Sequence, residues 1–126
     1  MVYVSVSNGE LLDKFSILQV KMNEITNTNQ QLNISGELEV LMASASDLLK
    51  NPNVDECYQE LNITNKLIWV QMEYIFTNRD NKDSLAYRNA IESSIDLNIR
   101  RSELKRKINS ITQSEVIEEK SYFNGN

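Results

Sequence analysis

The sequence predicts an all-α protein, either a four-helix bundle or paired helical hairpins, with a short strand at the N-terminus. Three glycines and one proline in 126 residues leave few breaks, so long elements are expected. Apolar residues recur at intervals of three and four in four segments, which is the period of an amphipathic helix. Short polar stretches separate these segments, as in helical bundles. The length suits a single helical domain over residues 1–126.

The N-terminal segment combines a strand pattern with a helix start. Residues 2–7, VYVSVS, alternate apolar and small polar side chains, which predicts a short strand. A lone strand is not stable, so it would need a partner, for which a second subunit is one candidate. Ser7 and Glu10 have the spacing of a capping box, which predicts a first helix over about 9–26. Its apolar stripe consists of Leu11, Phe15, Leu18, Met22 and Ile25.

The second and third helices are separated by the one proline of the chain. The second is predicted over about 36–50, after the polar loop TNTNQQ, and it ends before Pro52. The third is predicted over about 54–77, with Asn53 and Glu56 in capping-box register. The buried seam of the second helix is Leu38, Leu41, Ala45 and Leu48. The seam of the third is Cys57, Leu61, Ile68, Met72 and Ile75, with the polar Asn65 among them.

The fourth helix, predicted over about 84–112, carries a polar stripe between two apolar ones. At about 100° per residue, the apolar residues on one side are Ile91, Ile95 and Ile99, and those on the other are Leu97, Leu104, Ile108 and Ile111. The stripe between them consists of Ser94, Asn98, Arg101, Ser102, Lys105 and Asn109. Because its neighbours must be buried, this stripe should be partly enclosed, and enclosed polar groups need partners.

Polar side chains of the first and third helices can supply these partners. If the polar faces of the first and third helices converge with the polar stripe of the fourth, they form a pocket for a small anionic ligand. The Arg101 guanidinium would then be the fork that binds a carboxylate or phosphate. The predicted ligand-binding residues are Glu10, Asp13, Lys14, Trp69, Glu73, Asn98, Arg101, Lys105 and Asn109. The alternative is a structural network or a solvated face, with Glu10 serving only to cap its helix.

Composition narrows the chemistry that the chain can perform. It contains one cysteine and no histidine, which excludes an intrachain disulfide, a Cys/His zinc site and histidine-based triads. We predict no metal site and no cofactor. The net charge of −5 argues against nucleic acid, and the run RRSELKRK winds around its helix instead of lining one face. Without a long apolar run or a signal peptide, we expect a cytoplasmic protein with no membrane contact.

Three ordered motifs span most of the chain: GELLDKFSILQVK at 9–21, LNITNKLIWVQME at 61–73, and LNIRRSELKRKIN followed by EEKSY at 97–122. Together they resemble an uncharacterised family, a domain of unknown function found in bacteria and in marine phages, especially those of cyanobacteria. The resemblance implies a protein of a bacterium or of a phage-infected cell, and it brings no activity with it. The sequence departs from the family pattern at Ile99, where the family has Asp, and at Ser102, where it has Ala. The matching polar positions are Glu10, Asp13, Lys14, Trp69, Glu73, Asn98, Arg101, Lys105, Arg106, Asn109 and Glu118 to Tyr122.

Two functions remain open from the sequence. The first is a non-enzymatic accessory protein that binds a protein partner, or assembles as a homodimer or larger homo-oligomer, through the polar face of its last helix. The second is a small enzyme or ligand-binding protein for a sugar phosphate, nucleotide or carboxylate. In that case Glu10, Asp13 and Glu73 would be acid–base or Mg²⁺-binding groups. The terminal EEKSY is either a free tail or a strap, in which Glu118 and Glu119 pair with cations and Tyr122 packs over the bundle end.

Overall fold

The fold is all-α, which confirms the class that the sequence predicts. The computed structural model describes residues 1–115. Within this part, the chain forms four α-helices and a short 3₁₀ helix at Arg79–Asn81. The α-helices are α1 (Asn8–Glu24), α2 (Thr28–Leu49), α3 (Pro52–Thr77) and α4 (Leu85–Thr112).

The predicted N-terminal strand is wrong. Residues 1–7 form no strand in the part of the chain that the structure describes, and the side chains of Val2, Tyr3 and Val4 are highly exposed. An extended segment becomes a strand only when a second strand satisfies its backbone N–H and C=O groups. The helix start that follows is confirmed, because Ser7 Oγ accepts a hydrogen bond from the Glu10 backbone N–H at 3.0 Å.

Helix α2 begins at Thr28 and not near residue 36 as predicted. Asn27 caps it, since its Oδ1 accepts a hydrogen bond from the backbone N–H of Gln30 at 3.0 Å. Gln31 Nε2 also donates to the carbonyl of Ile25 at 2.8 Å. The polar stretch TNTNQQ therefore leads into the exposed first turns of α2. Its side chains are polar because they contact solvent, and from Thr28 onward the stretch is helical and not a loop.

The other helix boundaries lie within about two residues of their predicted positions. At the break between α2 and α3, Asn51 Oδ1 accepts a hydrogen bond from Asn53 N–H at 2.9 Å, and Pro52 takes the first helical position. Proline fits there because the missing N–H would have no partner within the helix. Ser84 caps α4 by accepting a hydrogen bond from Tyr87 N–H at 3.1 Å.

The hydrophobic core lies where α1 meets the start of α3 and the end of α4. Its members are Leu12, Phe15, Ala45, Val54, Cys57, Tyr58, Leu61, Leu104 and Ile108. Helix α2 covers this core with Ala45 and with the partly buried Leu38, Leu41 and Leu48. Farther along the α3–α4 hairpin fewer side chains are buried, and Ile95 is 55% exposed. The predicted burial of Ile95 is therefore wrong, because the core packs against the C-terminal part of α4.

Helix α1 packs against each of the other three helices, and the most extensive contact joins α3 to α4. These contacts are compatible with a four-helix bundle. Within the described residues, no helix combines the length and the apolar character that crossing a membrane would require.

Two titratable core residues predict how stability depends on pH. Burial raises the pKa of the Cys57 thiol and of the Tyr58 hydroxyl. The unfolded chain releases these protons at about pH 8.5 and about pH 10, whereas the folded chain releases them only at higher pH. We expect the free energy of unfolding to fall as pH rises above about 9, by up to about 1.4 kcal/mol per pH unit for each group.

Urea titrations at neutral and at alkaline pH measure this loss. In the double variant Cys57→Ala, Tyr58→Phe neither group can titrate, so its stability should depend less on pH over the same interval. An equal loss in the wild type and the double variant would contradict the assignment to these two side chains.

Candidate functional site

An ion pair between the buried Asp13 of α1 and the partly buried Arg101 of α4 lies at the centre of the predicted site. Asp13 is 1% exposed, although it is charged. Arg101 Nε donates to Asp13 Oδ1 at 2.9 Å, and Arg101 Nη2 donates to Oδ2 at 2.5 Å. This bidentate geometry is the strongest form of the Arg–carboxylate interaction. Both oxygens of the carboxylate therefore accept hydrogen bonds from the same guanidinium.

Helix α3 joins this pair through Asn65, the polar residue in its apolar seam. Asn65 Nδ2 donates to Asp13 Oδ1 at 3.0 Å and contacts Ser16 Oγ at 3.1 Å. Ser16 Oγ in turn donates to Asn62 Oδ1 at 2.7 Å. Buried polar groups need such partners, because an unpaired one costs about 1–3 kcal/mol. The three predicted faces therefore converge at Asp13.

A second ion pair lies one turn away, between Glu10 and Lys105. Lys105 Nζ is 2.6 Å from Glu10 Oε2 and 3.9 Å from Asp13 Oδ2, and Lys105 is 7% exposed. The two cations and two carboxylates balance in charge. The sequence predicted that the Glu10 carboxylate reaches back to cap α1, but it forms an ion pair with α4 instead. A buried ammonium attracts the carboxylate more strongly than a backbone amide does.

Helices α1 and α4 pack closely against each other at Gly9. Gly9 N–H donates to Asn109 Oδ1 at 2.7 Å, and Asn109 is 4% exposed. A Cβ atom at Gly9 would overlap the backbone carbonyl oxygen of Lys105. Only glycine permits this approach, which brings Glu10 within reach of Lys105. We call the whole group the buried polar cluster; it consists of Gly9, Glu10, Asp13, Ser16, Asn65, Arg101, Lys105 and Asn109.

Asn65 stands out in the sequence as a polar residue in the apolar seam of α3, although it is not among the predicted ligand-binding residues. Gly9 and Ser16, also members of the buried polar cluster, were not predicted as site residues either. Their sequence signals are weak: a glycine in the first turn of a helix, and a serine three positions after Asp13 on the same face. Neither residue type is unusual at these positions. Their roles depend on the side chains that α3 and α4 place opposite them.

The remaining predicted site residues lie outside the buried polar cluster. Lys14 is exposed and lies 3.9 Å from Glu37 of α2. Asn98 Nδ2 donates to the Ser94 carbonyl at 2.9 Å, within its own helix. Trp69 Nε1 donates to Glu73 Oε1 at 3.0 Å on the exposed surface of α3. The structure therefore does not bring Glu73 together with Glu10 and Asp13.

A cavity of about 150 Å³ adjoins the buried polar cluster between α1 and α3. Its polar lining is supplied by Asn65 and Arg101, and both of these side chains already bond to Asp13. The rest of the lining is Ile17, Val20, Ile68, Trp69 and Met72. Among residues 1–115, no three acidic or sulfur side chains are grouped so that they could hold a metal ion. The cavity is thus largely apolar, and the neighbouring charges are paired with each other.

The outer face of α3 carries a feature that the sequence analysis missed. Ile63, Leu67, Val70 and Tyr74 are 61%, 46%, 49% and 37% exposed, and their spacing of four, three and four places them in one line. We call these four residues the outer row. Single exposed apolar residues are ordinary, whereas a contiguous apolar patch is a candidate interaction surface. The spacing was visible in the sequence, but only one apolar stripe was predicted for the third helix.

The fold and the cluster define a small all-α protein in which a charge-balanced polar network ties three helices together. No protein-family model matches the sequence, and neither the curated proteins nor the solved structures provide a significant match. The EEKSY motif lies outside the described residues.

Proposed function

We propose that this protein is a non-catalytic helical accessory protein that works as a binding or assembly module, with the outer row as its binding surface. The observation that supports this proposal is the line of four large apolar side chains on α3 that face solvent. The family resemblance, with its bacterial or phage origin and cytoplasmic location, is part of the same proposal.

The polar face of α4 is less suited to this role than the sequence suggested. Lys105 and Asn109 are buried, and Arg101 is committed to Asp13. A side chain that is already buried and bonded within its own chain presents little to a partner protein. We therefore place the proposed binding surface on α3 and assign the face of α4 to the stability of the fold.

The alternative of a small enzyme or a receptor for an anionic ligand has weaker support. An anion at the Arg101 guanidinium would have to compete with Asp13, which holds it in bidentate geometry. Two of the three carboxylates that would serve as acid–base or Mg²⁺-binding groups face cations: Asp13 pairs with Arg101, and Glu10 Oε2 lies 2.6 Å from Lys105 Nζ. The third, Glu73, accepts a hydrogen bond from Trp69 on the exposed surface of α3. A metal or a substrate would have to displace these partners first.

Site-specific photocrosslinking in bacterial cells that express the full chain tests the proposal. A photoreactive amino acid replaces Leu67 or Val70 of the outer row, or Ile95 of α4 as a control of similar exposure. We expect the two outer-row positions to yield adducts larger than the 14.5 kDa chain, and the control to yield none. No adduct from the outer row, or equal adducts from all three positions, would contradict the proposed surface.

A further inference from the structure

The spacing of the outer row points to the partner that it fits. We propose that two copies of this chain form an antiparallel homodimer through the outer row, an inference that rests on the assembly function proposed above. The row follows the heptad positions of a coiled coil, at which apolar residues of two helices interlock. Its intervals of four, three and four read the same in both chain directions, so the row is complementary to a reversed copy of itself.

The antiparallel arrangement pairs every member of the outer row with another. Leu67 lies opposite Val70 of the second copy, and Ile63 lies opposite its Tyr74. The twofold axis passes between Leu67 and Val70. Such a self-complementary contact closes on itself, which is the usual form of a homodimer interface.

Charged residues beside the outer row favour antiparallel over parallel pairing. Lys66 and Glu73 are both exposed and lie on the same flank of the row, seven residues apart. In an antiparallel pair this flank meets the same flank of the second copy, so each Lys66 lies near the other copy's Glu73. In a parallel pair it would meet the opposite flank, which carries the uncharged Gln71 and Asn78. Charge complementarity therefore selects the antiparallel dimer.

The expected dimer is weak, because the outer row is short. The heptad positions that bound it are occupied by Glu60 and Thr77, and Glu60 is already paired with Arg100 of α4. Four apolar side chains from each copy form an interface at the small end of those found in specific complexes. We expect a dissociation constant in the micromolar range.

Sedimentation equilibrium on the purified full chain, from low to high micromolar concentration, tests the dimer. We expect the wild type to shift from monomer to dimer over this range. Leu67→Lys should remain monomeric with unchanged helical circular dichroism, because the residue is 46% exposed in the single chain. Ile95→Lys, the matched control on α4, should dimerise like the wild type. A monomeric wild type, or equal dissociation in both variants, would overturn the proposal.

Charge exchange tests the antiparallel register. Lys66→Glu or Glu73→Lys alone places like charges opposite each other, and each should weaken the dimer several-fold. The double exchange Lys66→Glu, Glu73→Lys restores opposite charges and should recover the wild-type dissociation constant. Single exchanges without effect would rule out this register. A wild type that stays monomeric while Leu67 crosslinks to a different protein would overturn the homodimer and leave the proposed function standing.

Discussion

Asp13→Asn should lower the free energy of unfolding by about 3 kcal/mol, the largest loss expected from any single isosteric change in this chain. The substitution keeps the volume of the side chain and removes its charge. It leaves Arg101 without its bidentate carboxylate and Lys105 with one nearby anion fewer. Removing the charge that compensates a cation at a largely buried position is costly, because the solvation that the cation lost on folding is then only partly replaced. Urea unfolding followed by circular dichroism measures the loss.

The exposed pair between Asp47 and Lys50 provides the control. Its atoms are 3.6 Å apart and both side chains are 79% exposed, so Asp47→Asn should change stability by less than about 0.5 kcal/mol. A loss of similar size in the two variants would show that burial is not what makes Asp13 matter. A more stable Asp13→Asn protein would indicate that the cluster is retained for binding at a cost in stability, and it would revive the ligand-site alternative.

Gly9→Ala should destabilise the protein by about 2–3 kcal/mol, although alanine is the better helix former. The added Cβ would overlap the Lys105 carbonyl oxygen and lie 3.0 Å from Asn109 Oδ1. A backbone oxygen cannot rotate away, so α1 and α4 must separate. This movement would also stretch the hydrogen bond from Gly9 N–H to Asn109 and the ion pair from Glu10 to Lys105.

Gly36→Ala is the matched control and should have the opposite sign. Apart from its chain neighbours and the nearby backbone of its own helix, no heavy atom lies within 4 Å of the position that its Cβ would take, and the residue lies inside α2. Removing a helical glycine that has free space around it should raise stability by about 0.5–1 kcal/mol. Thermal and urea unfolding of both variants measure the difference. A neutral Gly9→Ala would mean that α1 and α4 approach each other less closely than the structure shows.

These two substitutions test whether the buried polar cluster holds the fold together or serves a ligand. A structural cluster loses stability when any member is changed, because each charge is solvated by the others. A ligand site would tolerate Asp13→Asn better and would instead lose binding. The outer row makes a separate prediction: its residues are 37–61% exposed in the single chain, so changing them should affect association more than folding.

Much of the secondary structure could be read from the sequence, because the signals for it are local. Serine and asparagine caps, the break at Pro52 and the 3.6-residue apolar period involve residues close together in the chain. They predicted four helices and most of their ends. The two errors, the strand at 2–7 and the late start of α2, come from patterns whose meaning depends on what lies opposite them. An alternating segment needs a second strand, and a polar segment can be either a loop or an exposed helical turn.

The partners of the polar residues were decided by tertiary structure alone. Asp13 and Arg101 lie 88 positions apart, and only the packing of α1 on α4 brings them together. The same holds for Glu10. Its capping-box spacing predicted its place in the first turn of α1, but it did not predict that Glu10 pairs with Lys105. Helix α3 shows the limit most clearly, because it has apolar residues on two faces. Periodicity locates both faces, but which one is buried depends on where α1 and α4 pack, and that is a property of the whole chain.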